Sequence, residues 1–139
     1  MSLAHDIRDY LSTSGLGTVA TDLFAGNMPP NPDLAIAVYE GPGRGTAHAM
    51  NGSPGRAKVA YASVQVVCRG EADTYDVPRA LAQRAFLLLD GMGERTLNGV
   101  RYLWARSEQG EPYKIGVDEL NRPLIACNYS VIKELSTTS

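Results

Sequence analysis

The side chains best suited to acid–base or nucleophilic chemistry are few in this sequence and far apart. The two histidines are His5, on the polar side of a predicted first helix, and His48, within a glycine-rich stretch. A general base must be held within hydrogen-bond reach of its proton, which a glycine-rich loop does poorly. Cys68 and Cys127 lie in apolar, strand-like runs, without a nearby sequence partner that would lower a thiol pKa. We therefore expect two buried free thiols and no catalytic residue.

Metal and phosphate sites are also disfavoured. No Cys/His spacing matches a zinc site. The carboxylates of Glu71/Asp73 and Asp118/Glu119 fall at predicted turns or a helix entrance, where Asp side chains bond to local backbone groups. Gly41–Gly45 reads Gly-Pro-Gly-Arg-Gly, but it lacks the Gly-Lys-Ser/Thr ending of a P-loop and no helix pattern follows it. The sequence predicts neither a metal nor a cofactor.

The stretch Gly41–Lys58 has the most unusual composition. It contains five glycines and two prolines, and its charged residues are Arg44, Arg56 and Lys58, with no Asp or Glu. Loops longer than about 12–15 residues without structure of their own are uncommon in compact domains and are usually functional or disordered. We predict a long, flexible, basic loop whose Arg44, His48, Arg56 and Lys58 contact something large and negative, or become ordered on assembly.

Aromatic residues near this loop raise a further alternative. Tyr39 and Tyr61 flank the loop, and Tyr102 and Trp104 are spaced to share one side of a strand. Aromatics at that spacing more often pack a sheet face than stack on bases, so we expect packing. A small exposed aromatic–basic patch beside the loop is the alternative.

Length and composition indicate an ordinary globular protein. The 139 residues are the usual size of one domain, and we predict a single domain over 1–139. A net charge of −2 argues against a sequence-specific duplex binder, which would be basic. No signal-peptide pattern is present and no apolar run approaches the ~20 residues that span a bilayer. We expect a protein that folds in a cytoplasm and has no membrane partner.

Two helices are predicted from apolar residues at helical spacing. The first covers Leu3–Leu11 behind Ser2 as N-cap and leaves Asp6 solvated. The second covers Val77–Met92, with Asp76 as N-cap.

Seven segments are predicted to be strands, and Asn98-Gly99 between two of them is a strong hairpin signal. The segments are Thr18–Gly26, Leu34–Glu40, Val59–Arg69, Arg95–Leu97, Val100–Arg106, Tyr113–Val117 and Leu124–Ile132. The order predicts an α+β fold, a mostly antiparallel β-sheet packed on one face by two helices, with the long flexible basic loop.

The chain resembles the small tail terminator proteins of long-tailed bacteriophages, also called tail-completion or minor capsid proteins, over nearly its whole length. The order and spacing of several short motifs carry the resemblance: Leu16–Thr18, Asp22–Pro29, Ala37–Glu40, Val64–Gly70, Leu97–Tyr102, Asp118–Pro123 and Asn128–Val131. The family more often has a glycine in the final turn, where this chain has Leu120-Asn121, so we expect an altered turn geometry.

The resemblance implies a structural protein of the virion and not an enzyme. Such proteins form a ring, typically a hexamer, at the head-proximal end of the tail, where it ends tube polymerisation and serves as the head-docking surface. The implied partners are other copies of the chain, the tail tube protein, the head connector protein and, without sequence specificity, DNA passing through the lumen. The basic loop residues Arg44, His48, Arg56 and Lys58 are then expected to contact the lumen or a partner.

Other functions remain as alternatives at this stage. The first is a head–tail connector or adaptor protein, which would share the virion location. The second is a small α+β enzyme or ligand-binding domain, which requires a closed pocket with converging polar groups. The third is a single-stranded nucleic-acid binder. Free strand edges, before the basic loop or in the last hairpin, are candidates for contacts between copies.

Overall fold

The computed structural model describes residues 2–48 and 58–135, which form two helices and one seven-stranded sheet. The elements are α1 (Leu3–Thr13), β1 (Leu23–Ala25), β2 (Ala35–His48), β3 (Lys58–Arg69), α2 (Asp76–Leu89), β4 (Arg95–Leu97), β5 (Val100–Ser107), β6 (Tyr113–Val117) and β7 (Pro123–Leu135). The strand order is β1-β2-β3-β7-β5-β4, and β6 pairs with β7. Only β1 and β2 run parallel among these strands. The predicted α+β fold with a mostly antiparallel sheet is confirmed.

Helix α1 begins where the sequence predicts, because the Ser2 side chain accepts a hydrogen bond from the backbone N–H of His5. The expectation for Asp6 is wrong. This carboxylate is fully buried, accepts a hydrogen bond from the Tyr102 hydroxyl, and accepts another from Asn98 Nδ2 at 2.9 Å. A buried carboxylate needs such partners, and both come from the β4–β5 hairpin, about ninety residues further along the chain.

The two helices pack on one face of the sheet and form a single buried cluster with it. Alternate strand residues face this core: Ile36, Val38, Val64, Val66, Cys68, Ile125, Cys127, Tyr129 and Val131. Both thiols are free and buried, as predicted. Burial raises the pKa of the Cys68 thiol to about 12. This thiol is therefore a packing group and not a nucleophile at neutral pH.

Strand β2 continues well into the stretch that the sequence predicts as a loop. Gly41 and Gly45–His48 pair with β3, and His48 is the Cα partner of Lys58. A β-bulge between Gly41 and Gly45, with positive φ at Gly43 (70°) and Gly45 (104°), accommodates the glycines. The prediction of a flexible loop is therefore wrong for residues 41–48. Residues 49–57 of the predicted loop lie outside the described residues.

Among the other local predictions, the position of one turn is confirmed, while the bounds of one strand and the N-cap of one helix differ from those predicted. The Asn98-Gly99 turn is confirmed, with φ of 50° and 80° at the two residues. The first predicted strand is shorter than expected, because Thr18–Asp22 forms a turn in which Thr18 N–H donates to Asp22 Oδ1 at 2.7 Å. Helix α2 begins at Asp76, with Tyr75 in the N-cap position that was predicted for Asp76. No helix among residues 2–48 and 58–135 is long and apolar enough to cross a membrane.

Candidate assembly surfaces

Arg44 is the predicted site residue whose side chain the structure describes. It is exposed, and its guanidinium carbon lies 4.7 Å from the centre of the Tyr61 ring. His48 and Lys58 are brought together as strand partners, while their side chains and the whole of Arg56 lie outside the described residues. We call residues 41–48 of β2, together with residues 58–63 of β3 beside them, the arm.

The sheet face opposite the helices is open and forms a groove of about 890 Å³. Tyr39, Tyr61 and Trp104 line it together with polar residues of the central strands: Ser63, Gln65, Asn128 and Ser130. These polar residues alternate with the core residues of β3 and β7, which explains why one face is apolar and the other is wet.

Trp104 reaches the groove because of a β-bulge in β5. The register with β7 shifts between Tyr102, which pairs with Lys133, and Trp104, which pairs with Ile132. Tyr102 is consequently fully buried in the core, while Trp104 lines the open face. The prediction that these two aromatics share one side of the strand is wrong, since a bulge inserts one residue into the alternation.

The groove carries an aromatic–basic patch, the alternative that the sequence had left open. Arg44 stacks on Tyr61, and Arg106 lies over Trp104 with 5.2 Å from its guanidinium carbon to the ring centre. Such exposed stacks contribute about 0.5–1 kcal/mol each. They favour positions of both guanidinium groups over the rings on the open face, where the groups are accessible to anionic or aromatic partners.

A second organised region surrounds Arg69, at the end of β3. Arg69 is 4% exposed, and its guanidinium group donates to the backbone carbonyls of Asp33 at 3.0 Å, Pro29 at 2.8 Å and Pro32. Burial lowers the pKa of Arg69, and the nearby positive charge of Arg122 lowers it further. The guanidinium group thus satisfies carbonyls of a proline-rich loop that cannot form a regular ladder.

Arg122 completes this arrangement from the turn before β7. It is 6% exposed and donates to the Pro30 carbonyl at 2.6 Å, to Asp33 Oδ1 at 3.1 Å and to Asp118 Oδ2 at 2.7 Å. Asn121 in the same turn has a φ of 60°, the left-handed conformation that glycine favours and that asparagine tolerates. The turn therefore uses a backbone conformation that glycine favours, without a glycine at this position.

These contacts join three connecting segments into one end of the sheet. The segments are residues 26–34, 70–75 and 118–122, and the Asp73 N–H donates to the Asn121 carbonyl at 3.2 Å. We call them the clamped end. Sequence reasoning missed it. The available signal was a pair of arginines, Arg69 and Arg122, at the borders of otherwise apolar strands, together with a run of prolines that leaves carbonyls without local donors.

Neither surface has the features of a catalytic centre or a metal site. Within the described ranges no three His, Cys, Asp or Glu residues are arranged to hold a metal ion. The groove is broad and open, and the clamped end is built from structural hydrogen bonds. Both features suit contacts with large partners.

Comparison with known proteins gave two findings. The family described as bacteriophage tail terminator protein matches residues 10–135. A solved structure described as the virion of a native gene transfer agent (GTA) particle contains a chain that is similar to this one, with a TM-score of 0.61 at 18% identity. The match covers 96% of each chain, and at this identity it establishes a shared fold. A search of curated proteins gave no significant match.

Proposed function

This chain belongs to the bacteriophage tail terminator family, a family of structural tail proteins, and we propose that it caps the head-proximal end of a phage tail tube as a ring. The observation that carries the proposal is the extent of the family match, which runs from within α1 to the end of β7. Residues 1–139 would then form one terminator domain. A ring, typically of six copies, ends tube polymerisation and offers the surface on which the head docks.

The partners follow from this position. Other copies of the chain form the ring, the tail tube protein lies on one side, and the head connector protein lies on the other. The fold suits such a role, because helices cover one sheet face and leave the other face and several strand edges available. Contacts between unlike surfaces of identical subunits close into a ring when the rotation closes.

The arm provides the cationic contacts in this proposal. Arg44, together with His48, Arg56 and Lys58 of the same stretch, would lie towards the lumen or a partner. In the lumen arrangement, a few cations on each subunit, repeated around a ring, would form a positive collar that contacts DNA phosphates without reading sequence. In the partner arrangement, the same cations would contact a neighbouring protein instead. The net charge of the chain is −2, so this positive potential would be local to the collar.

A structural role of this kind needs no catalytic group and no cofactor. We propose that the protein acts by geometry alone, as a building block of the virion. The fully buried Cys68 and the hydrogen-bonded Asp6 both serve packing in this account.

Electron microscopy of mutant particles tests the position in the virion. Loss of a tail terminator should give abnormally long or unattached tails. Loss of a head–tail connector or adaptor should instead give tails of normal length beside unjoined heads. Tails of normal length without this protein would overturn the proposal.

A second experiment tests the arm. Replacement of Arg44, Arg56 and Lys58 by Ser should lower the number of infectious particles or change tail length, while Arg84→Ser, an exposed arginine on α2, serves as the control. Unchanged titre and unchanged tails in the triple variant would remove the arm from the proposed function.

A further inference from the structure

Exposed apolar side chains are concentrated in one half of the molecule. Among the described residues eight large apolar side chains are exposed, and seven of them lie in the segments of the clamped end, at the start of α2 or in β6, which directly adjoin these segments along the chain: Leu34, Tyr75, Val77, Tyr113, Ile115, Val117 and Leu120. Leu120 is 62% exposed and Val117 is 49% exposed. Single exposed apolar residues are ordinary, but a concentration of them marks an interaction surface.

This surface is already organised in the isolated chain. Leu34 follows the loop that Arg69 holds, and Leu120 lies in the turn that Arg122 and Asp118 hold. Two nearly buried guanidinium groups therefore hold the backbone next to Leu34 and around Leu120. A preorganised surface loses less conformational entropy on binding than a mobile one, so its contacts contribute more fully to affinity.

The charge around the apolar residues is negative. In the part of the chain that the structure describes, five carboxylate residues, Asp33, Glu71, Asp73, Asp76 and Glu119, are exposed there, against one exposed cation, Lys114 in β6, while Arg69 and Arg122 are buried under the surface. A nucleic acid would be repelled by such a surface. Its partner should be a protein segment that offers positive charge.

The chain carries a segment of this kind at the opposite end of the sheet. Strand β2 starts beside the clamped end at Ala35 and runs to His48, and Arg44 is exposed on the way. The stretch Gly41–Lys58 contains three cations and no carboxylate. One end of the molecule is thus apolar and acidic, and the other end carries only positive charge along this stretch.

We propose that the arm of one copy docks on the clamped end of a second copy, so that copies associate head to tail. The inference rests on the proposed ring and specifies its contact. Each copy supplies one arm and one clamped end, so every binding surface is occupied once the ring closes. Arg44 would meet the carboxylates around Glu119, and the apolar groups near Leu120 would be covered.

Two single variants and their mixture test this contact by native mass spectrometry of the full chain. Arg44→Ala disables the arm, and Leu120→Lys disables the clamped end while adding a charge that repels Arg44. Each variant alone should self-associate about ten-fold or more weakly than the wild type, as expected for loss of one central contact. Leu87→Lys, at an equally exposed site on α2, and Arg84→Ala should associate like the wild type.

The mixture gives the sharper result. An Arg44→Ala copy retains an intact clamped end and a Leu120→Lys copy retains an intact arm, so the two should form a pair of about twice 14.9 kDa that grows no further. Circular dichroism of each variant before mixing checks that it is folded. A contact between like surfaces would instead give pairs in one of the variants alone, and no pair would require both variants.

The outcomes separate the contact from the ring. Rings in the wild type that persist in both variants would overturn the head-to-tail contact and leave the ring proposal standing. A wild type that stays monomeric at every concentration and in the presence of tail tubes would overturn both. An Arg44→Ala variant with unchanged association but weaker, salt-dependent binding to duplex DNA would assign the arm to nucleic acid and overturn the contact.

Discussion

The Tyr102 hydroxyl donates a hydrogen bond to the buried carboxylate of Asp6, and this contact joins β5 to α1 across the core. Burial raises the pKa of Tyr102, and the neighbouring Asp6 raises it further, so the phenol remains a donor throughout the physiological range. The other carboxylate oxygen accepts from Asn98 Nδ2, so one acidic side chain holds both the helix and the β4–β5 turn.

Tyr102→Phe is expected to lower the free energy of unfolding by about 1–3 kcal/mol, because one oxygen of Asp6 would lose its partner while buried. Urea denaturation followed by circular dichroism measures this change. Tyr113→Phe is the matched control, since Tyr113 is 41% exposed and the loss of its hydroxyl should change stability little. Equal stability of the two variants would show that the Asp6 contact contributes nothing.

Arg69→Lys is expected to destabilise the protein by about 2–3 kcal/mol, because an ammonium group cannot reach the carbonyls of Pro29, Pro32 and Asp33 together. The substitution should also lower the local stability of the loop that Arg69 holds, in addition to the free energy of unfolding of the whole protein. Hydrogen exchange should accelerate in residues 26–34 more than in the core strands. Arg84→Lys is the exposed control, and similar effects of the two substitutions would contradict the clamp.

Acid should weaken the clamped end through Asp118. Burial alone would raise the pKa of this carboxyl, but hydrogen bonds from the backbone N–H groups of Arg122 and Leu120 and from the Arg122 guanidinium hold it below the ordinary 3.8. The associated stability is present above the ordinary value and is lost as the pH falls through the lowered pKa.

Urea midpoints between about pH 6 and about pH 2.5 measure this dependence. Asp118→Asn should have a lower urea midpoint than the wild type near pH 6. The difference between the two midpoints should shrink as the pH falls. Glu119→Gln, in the same turn, should keep the wild-type profile. Parallel profiles of the wild type and Asp118→Asn would contradict the assignment.

Asn121→Val should destabilise the protein by about 1–2 kcal/mol, since a β-branched residue tolerates the left-handed region poorly. Asn121→Gly should leave stability near that of the wild type, because glycine adopts the left-handed conformation without strain. Thermal unfolding of the two variants distinguishes them. Equal losses for Val and Gly would show that the side chain of Asn121, and not its backbone conformation, is what matters.

Local signals predicted much of the fold. The Ser2 cap, the Asn98-Gly99 turn and the alternation along β3 each depend on neighbouring residues, so the sequence alone determines them. The glycine-rich part of β2 was misread, because its strand state is imposed from outside. It pairs with β3, which β7 holds along its whole length on the other side.

The missed features all depend on distant partners. Arg69 contacts a carbonyl forty residues away, and the bulge between Tyr102 and Trp104 is visible only in the register with β7. Asp6 likewise finds its partner ninety-six residues later. Composition singled out Arg44, which is exposed and stacks on Tyr61, and its predicted contact with the lumen or a partner stays a prediction. The clamped end depends on contacts between segments that are far apart in the sequence, so composition alone did not indicate it.

Electron-microscope images of the purified full chain, paired with its native mass, test the central claim most directly. The account predicts particles with a central hole and a mass near six times 14.9 kDa. A protein that remains a single 14.9 kDa subunit at every concentration and in the presence of tail tubes would contradict it.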